Sequence, residues 1–259
     1  MPTSIRRACL AALALAAGIV AAENPFVGTW KLNPAKSKFT GDTVKYERTA
    51  SGAIQVSSEG LTYTFKPDGR EYPAPLGYTA AWKQLDERTW EVVTRLSGKV
   101  LNTDTIKVSA DGKTRTVISK GTKPNGENFQ DTAVYERIAG ESGLLGTWRS
   151  TEVKISSPMV LGFAPYGPDG LTLTIVDYKV VCNAKLDGKD YPATGPTVPP
   201  GLTLALKRTG ERTMEMVEKD KGKTLGTSKF AVSADGKTLT EVYTPAAVNE
   251  PVTAVYDRQ

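Results

Sequence analysis

The sequence predicts an all-β protein built as two tandem antiparallel meander β-barrels, and three observations carry that expectation. First, short phrases recur in one order along the 259 residues: GTW (28–30) returns at 146–148, DGREYP (68–73) as DGKDYP (187–192), VSADGKT (108–114) at 232–238, and TAVYER (132–137) as TAVYDR (253–258). A repeat of about 120 residues is a domain, not a solenoid unit. Second, apolar residues alternate with polar ones, as in LTYTFK (61–66), LTLTIV (171–176) and LTLALK (202–207), the period of a strand with one wet face. Third, PDG (67–69), LDG (186–188) and two copies of ADGKT (110–114 and 234–238) punctuate these runs with residues that tolerate tight hairpin turns.

Taken in chain order, residues 1–22 read as an export leader. Arg6 and Arg7 precede the apolar run ACLAALALAAGIV (8–20), which is too short to span a bilayer, and Ala21-Ala22 offers small residues before a mature start at Glu23. Cys9 precedes the apolar core, where a lipid-attachment cysteine would follow it. The expected location is therefore outside the cytoplasm, periplasmic or extracellular. The first barrel is expected over 23–138, a joint over 139–145 and the second barrel over 146–259. About eight strands fit each unit, enough to close a meander and remove its edges.

Composition narrows the function. The formal charge is +5, but basic residues alternate with acids, as in EKDKGK (218–223), so no basic stripe exists for nucleic acid. No later run has the roughly 18 uninterrupted apolar residues of a spanning helix. The chain has no histidine, which removes the Ser-His-Asp and Cys-His arrangements and histidine metal ligation. No phosphate-cradling glycine motif and no calcium-loop spacing is present. The acid pairs Asp86-Glu87 and Asp187/Asp190 lie beside turn residues and read as solvated turn carboxylates. Neither a cofactor nor a metal is expected. Cys182 is alone once the leader is removed and reads as a small buried hydrophobe.

The opening FVGTWKL (26–32) and the finish TAVYER resemble the calycin superfamily, the lipocalins and fatty-acid-binding proteins. The opening GTWKLNPAKSKF is also similar to that of short exported bacterial proteins. The resemblance implies lipocalin-like barrels in which Trp30 lies under Arg137 and Trp148 under Arg258, with Gly28 and Gly146 leaving room for the turn into the barrel floor. Two features depart from it. Ala133 and Ala254 stand where fatty-acid-binding proteins place a carboxylate-holding arginine, two residues before the tyrosines Tyr135 and Tyr256. NPAKSKFTGD (33–42) is too short for a two-helix lid.

Alignment of the copies exposes an asymmetry. Tyr63 corresponds to Cys182, Phe65 to Ala184, Trp82 to Leu206 and Trp90 to Met214, while Ala80 becomes Leu204. The second copy has smaller groups at most of these positions, and an unfilled large-to-alanine vacancy costs roughly 3–5 kcal/mol. Three readings compete. Met159, Leu161, Phe163 or Tyr166 folds in as a plug and the core is repacked. Alternatively, Cys182, Ala184, Leu206 and Met214 line an apolar pocket, with Phe163 and Tyr166 on a mobile rim over 156–170, whose Pro and Gly content argues against a central strand. In the third, the apolar loop contacts a protein partner. The functional expectation is an exported, non-enzymatic binder of a small apolar or amphipathic molecule, with its pocket in the second barrel. A solid-barrel scaffold or interaction module is the alternative, and a calycin-type isomerase or hydrolase working through Tyr, Lys, Arg, Asp or Glu is the third reading.

Overall fold

The computed structural model describes residues 24–140, 142–247 and 250–259. The leader over 1–22 and the start at Glu23 lie outside them. The first repeat contributes β1 (Gly28–Leu32), β2 (Thr43–Arg48), β3 (Ile54–Ser58), β4 (Leu61–Phe65), β5 (Asp68–Pro73), β6 (Tyr78–Asp86), β7 (Thr89–Leu96), β8 (Lys99–Val108), β9 (Thr114–Thr122) and β10 (Asn128–Ala139). The second contributes β11 (Gly146–Lys154), β12 (Val160–Tyr166), β13 (Gly170–Ile175), β14 (Val180–Lys185), β15 (Tyr191–Thr194), β16 (Leu202–Arg208), β17 (Thr213–Asp220), β18 (Lys223–Val232), β19 (Thr238–Pro245) and β20 (Val252–Arg258). The repeats thus match strand for strand, with ten each in place of the eight expected. Among the described residues no helix is long and apolar enough to cross a membrane.

The repeats are not the folded units. The first barrel runs in the order β4-β3-β2-β11-β10-β9-β8-β7-β6-β5, and the second closes on itself as β1-β12-β13-β14-β15-β16-β17-β18-β19-β20. Each repeat has given its opening strand to the other barrel. β11 lies between β10 and β2, while β1 lies between β12 and β20. The boundaries expected at 23–138 and 146–259 are accordingly offset from the barrels by one strand. The first barrel is the continuous stretch 43–154, inserted between β1 and the rest of the second barrel. The expected joint at 139–145 lies inside the first barrel, as the connection from β10 to β11.

Connection length explains the exchange. Only a short segment separates Ala139 from Gly146, so β11 folds straight back along β10, pairing Arg137 with Trp148 and Ala139 with Thr147. Sequential antiparallel strands on a short connection pair readily because little loop entropy is lost. With β11 in the first barrel, the second lacks its opening strand, and β1 fills that place.

The crossing also corrects the expected indole–guanidinium pairs. Trp148 lies under Arg137, 4.1 Å from guanidinium carbon to ring centroid, and Trp30 under Arg258, at 4.3 Å. Trp30 does not meet Arg137, nor Trp148 Arg258, because each indole has moved with its strand. The local chemistry is duplicated. Trp30 Nε1 donates to the Phe26 carbonyl at 2.8 Å and Trp148 Nε1 to that of Leu144 at 2.9 Å. Arg258 donates to the carbonyls of Gly236, Val27 and Pro25, and Arg137 to those of Gly112, Leu145 and Gly143. Gly146 has φ +124°, and a Cβ there would strike the Ala139 carbonyl, so a side chain is excluded.

The barrels meet at their upper ends, opposite these tryptophans. The β9–β10 turn supplies Lys123, whose side chain is 2 % exposed and whose Nζ donates to the Ser157 carbonyl at 2.9 Å. It lies 3.8 Å from Asp177 Oδ2 and 3.7 Å from Glu127 Oε2. Asp177, in the β13–β14 turn, also accepts from Asn125 Nδ2 and the Val160 amide. A buried ammonium and a buried carboxylate compensate each other where the barrels touch.

Candidate functional site

Strand registers settle which interior residues correspond. Val56 lies opposite Tyr63 as Leu173 lies opposite Cys182, and Ile54 opposite Phe65 as Leu171 opposite Ala184. The aligned pairs therefore occupy equivalent places. In the lower half the first barrel holds the larger groups: Phe65 stacks on Trp82 with ring centroids 4.0 Å apart, and Trp90 and Trp148 fill the floor. In the upper half the difference reverses. Val56, Ser58 and Ala80 of the first barrel stand where the second has Leu173, Ile175 and Leu204.

This reversal decides where space remains. Cys182, Ala184, Leu206 and Met214, expected to line a pocket, are each at most 1 % exposed and lie in one continuous apolar core. Phe163, placed on the rim by the sequence, is buried there, 6.2 Å from both Phe26 and Phe230. Phe26 reaches this core through the exchange and stands where the first barrel has Leu144; Phe230 stands where it has Ile106. Leu161 is buried as well, so the volume lost from the aligned positions is returned by several neighbours, as in volume-conserving core swaps. Tyr166 points outward, 42 % exposed. Nor is 156–170 a loose rim, since 160–166 forms β12 between β1 and β13. Pro165 is tolerated because β1 pairs only with Val160–Phe163, leaving the proline beyond its reach. Burial pushes the Cys182 thiol up to about 11, and its sulfur faces the Tyr191 carbonyl at 3.8 Å.

The open space lies at the mouth of the first barrel, in a cleft of about 280 Å³. Val56, Ala74, Ala80 and Leu76 supply apolar wall, Tyr63 and Tyr78 supply hydroxyls, and Ser58, Glu59, Leu61 and Thr94 complete the rim. Tyr63 is held from below: Trp82 Nε1 donates to its hydroxyl at 3.0 Å, and burial holds that hydroxyl above the usual phenol range. Asp104, deeper on β8, is also raised by burial, with Ser119 and Asn102 hydrogen bonds opposing the shift. Below the cleft Arg115 is 2 % exposed, donates to the Tyr46 hydroxyl at 2.9 Å and lies 4.0 Å from the Tyr135 ring centroid. Its Nε has no hydrogen-bond partner among the described residues. Tyr135 is pushed up to about 12, mainly by burial. The second barrel has Leu239 in place of Arg115.

A second cleft, about 340 Å³, adjoins the first where the rims meet, and Glu59, Leu61 and Leu76 line both. The second barrel contributes Glu218, Tyr243, Leu225 and Lys223. Gly60 sits against Ala247 with no room for a side chain. Glu218 is raised by burial and by Glu241, and Tyr243 is pushed up to about 12 by burial and by Glu218, Glu59 and Glu241. Glu241 itself is raised by burial, although it accepts from Ser228 at 2.6 Å and Tyr256 at 2.9 Å. A broader depression of about 740 Å³ near Val100 and Phe129 lies on the outer wall of the first barrel.

The acid pairs noted in the sequence serve turns. Asp86 accepts from the Arg88 amide and Asp187 from the Lys189 amide, and both carboxyls are held low by those bonds, while Asp190 pairs with Lys219 at 2.7 Å. Of the cleft residues, Tyr63 and Ala80 differ visibly between the copies in sequence, and Ala80 against Leu204 together with Ser58 against Ile175 is the signal that marks the upper half of the first barrel as the emptier one. Arg115 was signalled by a charge at an inward-facing strand position, where the other copy has leucine. Comparison of the chain with known families, with curated proteins and with solved structures finds no match in any of the three.

Proposed function

We propose that the protein binds a small apolar or amphipathic molecule at the mouth of its first barrel, and that it does so outside the cytoplasm after export directed by residues 1–22. The observation that supports this reading is the cleft over Tyr63, Val56 and Ala80, an apolar concavity with a few convergent hydroxyls. Its volume equals that of roughly nine liquid waters, which suits a compact ligand. The second barrel, its core packed around Phe163 and Phe230, acts in this reading as the support that completes the rim.

Ala80→Leu tests it by giving the first barrel the residue found at the equivalent place in the second, Leu204. Native mass spectrometry of the protein taken from its own host should show a bound small molecule in the wild type and none in the variant. A wild type that carries no molecule and whose melting temperature ignores alkyl alcohols would favour the solid-barrel scaffold, since a ligand that binds only the native state stabilises it.

A further inference from the structure

We infer that the ligand is an amphipathic cation, its apolar body in the first-barrel cleft and an ammonium head at the rim between Glu59 and Glu218. This rests on the binding reading above and names the ligand class for that site. Two features of the site carry it.

The first is the distribution of charge around an apolar space. The 280 Å³ cleft has one charged lining residue, Glu59, and no basic one. The adjoining cleft adds Glu218 and a single cation, Lys223, and neither glutamate has an ion-pair or hydrogen-bond partner among the described residues. The carboxylates at the mouth would repel an anionic head. They would attract an ammonium, which keeps part of its hydration at a rim while its alkyl or aryl body is buried. Arg115, the one buried guanidinium among the described residues, is sealed beneath Tyr46 and Tyr135 and does not line the cleft.

The second is the backbone that presents this rim. Glu59 (φ +49°) and Leu76 (φ +62°) are two of the five non-glycine residues with positive φ among the described residues, and both line both clefts. Glu59 and Gly60 form a two-residue hairpin turn whose first position favours Asn, Asp or Gly. Leucine is rarer still in that conformation. Here the two place a carboxylate and an apolar wall side by side at the opening.

Octylamine, octanol and octanoate share one body and differ in the head. Titrated near neutral pH and followed by tryptophan fluorescence, because Trp82 bonds to Tyr63, octylamine should bind about tenfold tighter than octanol, with octanoate weakest. Raising salt to about 0.5 M should narrow the gap between amine and alcohol, since rim charges are screened. Glu59→Gln combined with Glu218→Gln should remove the amine's advantage; both side chains are at the rim, and unchanged circular dichroism would confirm folding. Equal binding of amine and alcohol, or tightest binding of octanoate, overturns the cationic head and leaves the apolar-binding reading standing. Failure of all three ligands to bind overturns both.

Discussion

Arg258, the penultimate residue, covers the indole of Trp30 near the other end of the described chain, its guanidinium carbon 4.3 Å from the ring centroid. The contact closes the second barrel with a strand from the first repeat. It also makes both ends of the described chain part of one domain, with the other barrel inserted between them.

The crossed pairing should appear in double-mutant cycles. Trp30→Phe with Arg258→Ala, and Trp148→Phe with Arg137→Ala, are each expected to show about 1 kcal/mol of coupling in denaturant unfolding. Trp30→Phe with Arg137→Ala should show none, since the two belong to different barrels. Coupling in that third cycle would contradict the exchange.

Cutting the chain between Ala139 and Gly146 should not separate the halves. A protease site placed there, once cleaved, should leave one particle on gel filtration and two fragments only in denaturant, because each barrel holds a strand from the other half. Two separate native peaks would show that the strands stay with their own repeats.

Lys123 is the buried pin between the barrels. Lys123→Met strands Asp177 without its cation and should cost roughly 3 kcal/mol, whereas Lys123→Met with Asp177→Asn should recover most of that. Chemical denaturation of the two variants and the wild type measures the difference.

Glu241 makes stability depend on pH. Its carboxyl is raised by burial, so the folded chain holds that proton more tightly than the unfolded one. The resulting stabilisation is complete below the ordinary glutamate value and is lost as pH rises through the elevated one. Glu241→Gln keeps acceptors and donors for the Ser228 and Tyr256 hydroxyls, so its melting temperature should exceed the wild type by a few degrees near pH 8. The two should converge near pH 4. A gap independent of pH would exclude this carboxyl as the cause.

Trp148→Ala should remove roughly 3–5 kcal/mol from the first barrel, although the residue belongs to the second repeat. Hydrogen exchange localises the loss: amides of β2–β10 should open first, while those of β13–β19 stay protected.

Much of the fold was legible because alternation and repetition are local properties. LTYTF became β4 and LTLALKR became β16, and the equivalence of Tyr63 with Cys182 follows from both alignment and register. The site was less legible. A pocket was expected from Cys182, Ala184, Leu206 and Met214 in the second barrel, but Phe26, Phe163 and Phe230 converge on that core from strands and a turn far apart in sequence. The cleft instead follows from Ser58 and Ala80 at the other end of the first barrel, beside a rim supplied partly by the second.

By itself the sequence determined two copies of one antiparallel all-β unit, the inward and outward faces of their strands, and the indole and guanidinium that close each floor. Only the tertiary structure decided which indole met which guanidinium. GTW and TAVYER are repeated almost unchanged, so either pairing satisfies the same local chemistry, and the short connection from Ala139 to Gly146 selects the crossed one by making β11 the nearest partner of β10. The location of the cleft was decided in the same way, because packing responds to the summed volume of side chains from many strands, and no single stretch of sequence contains that sum.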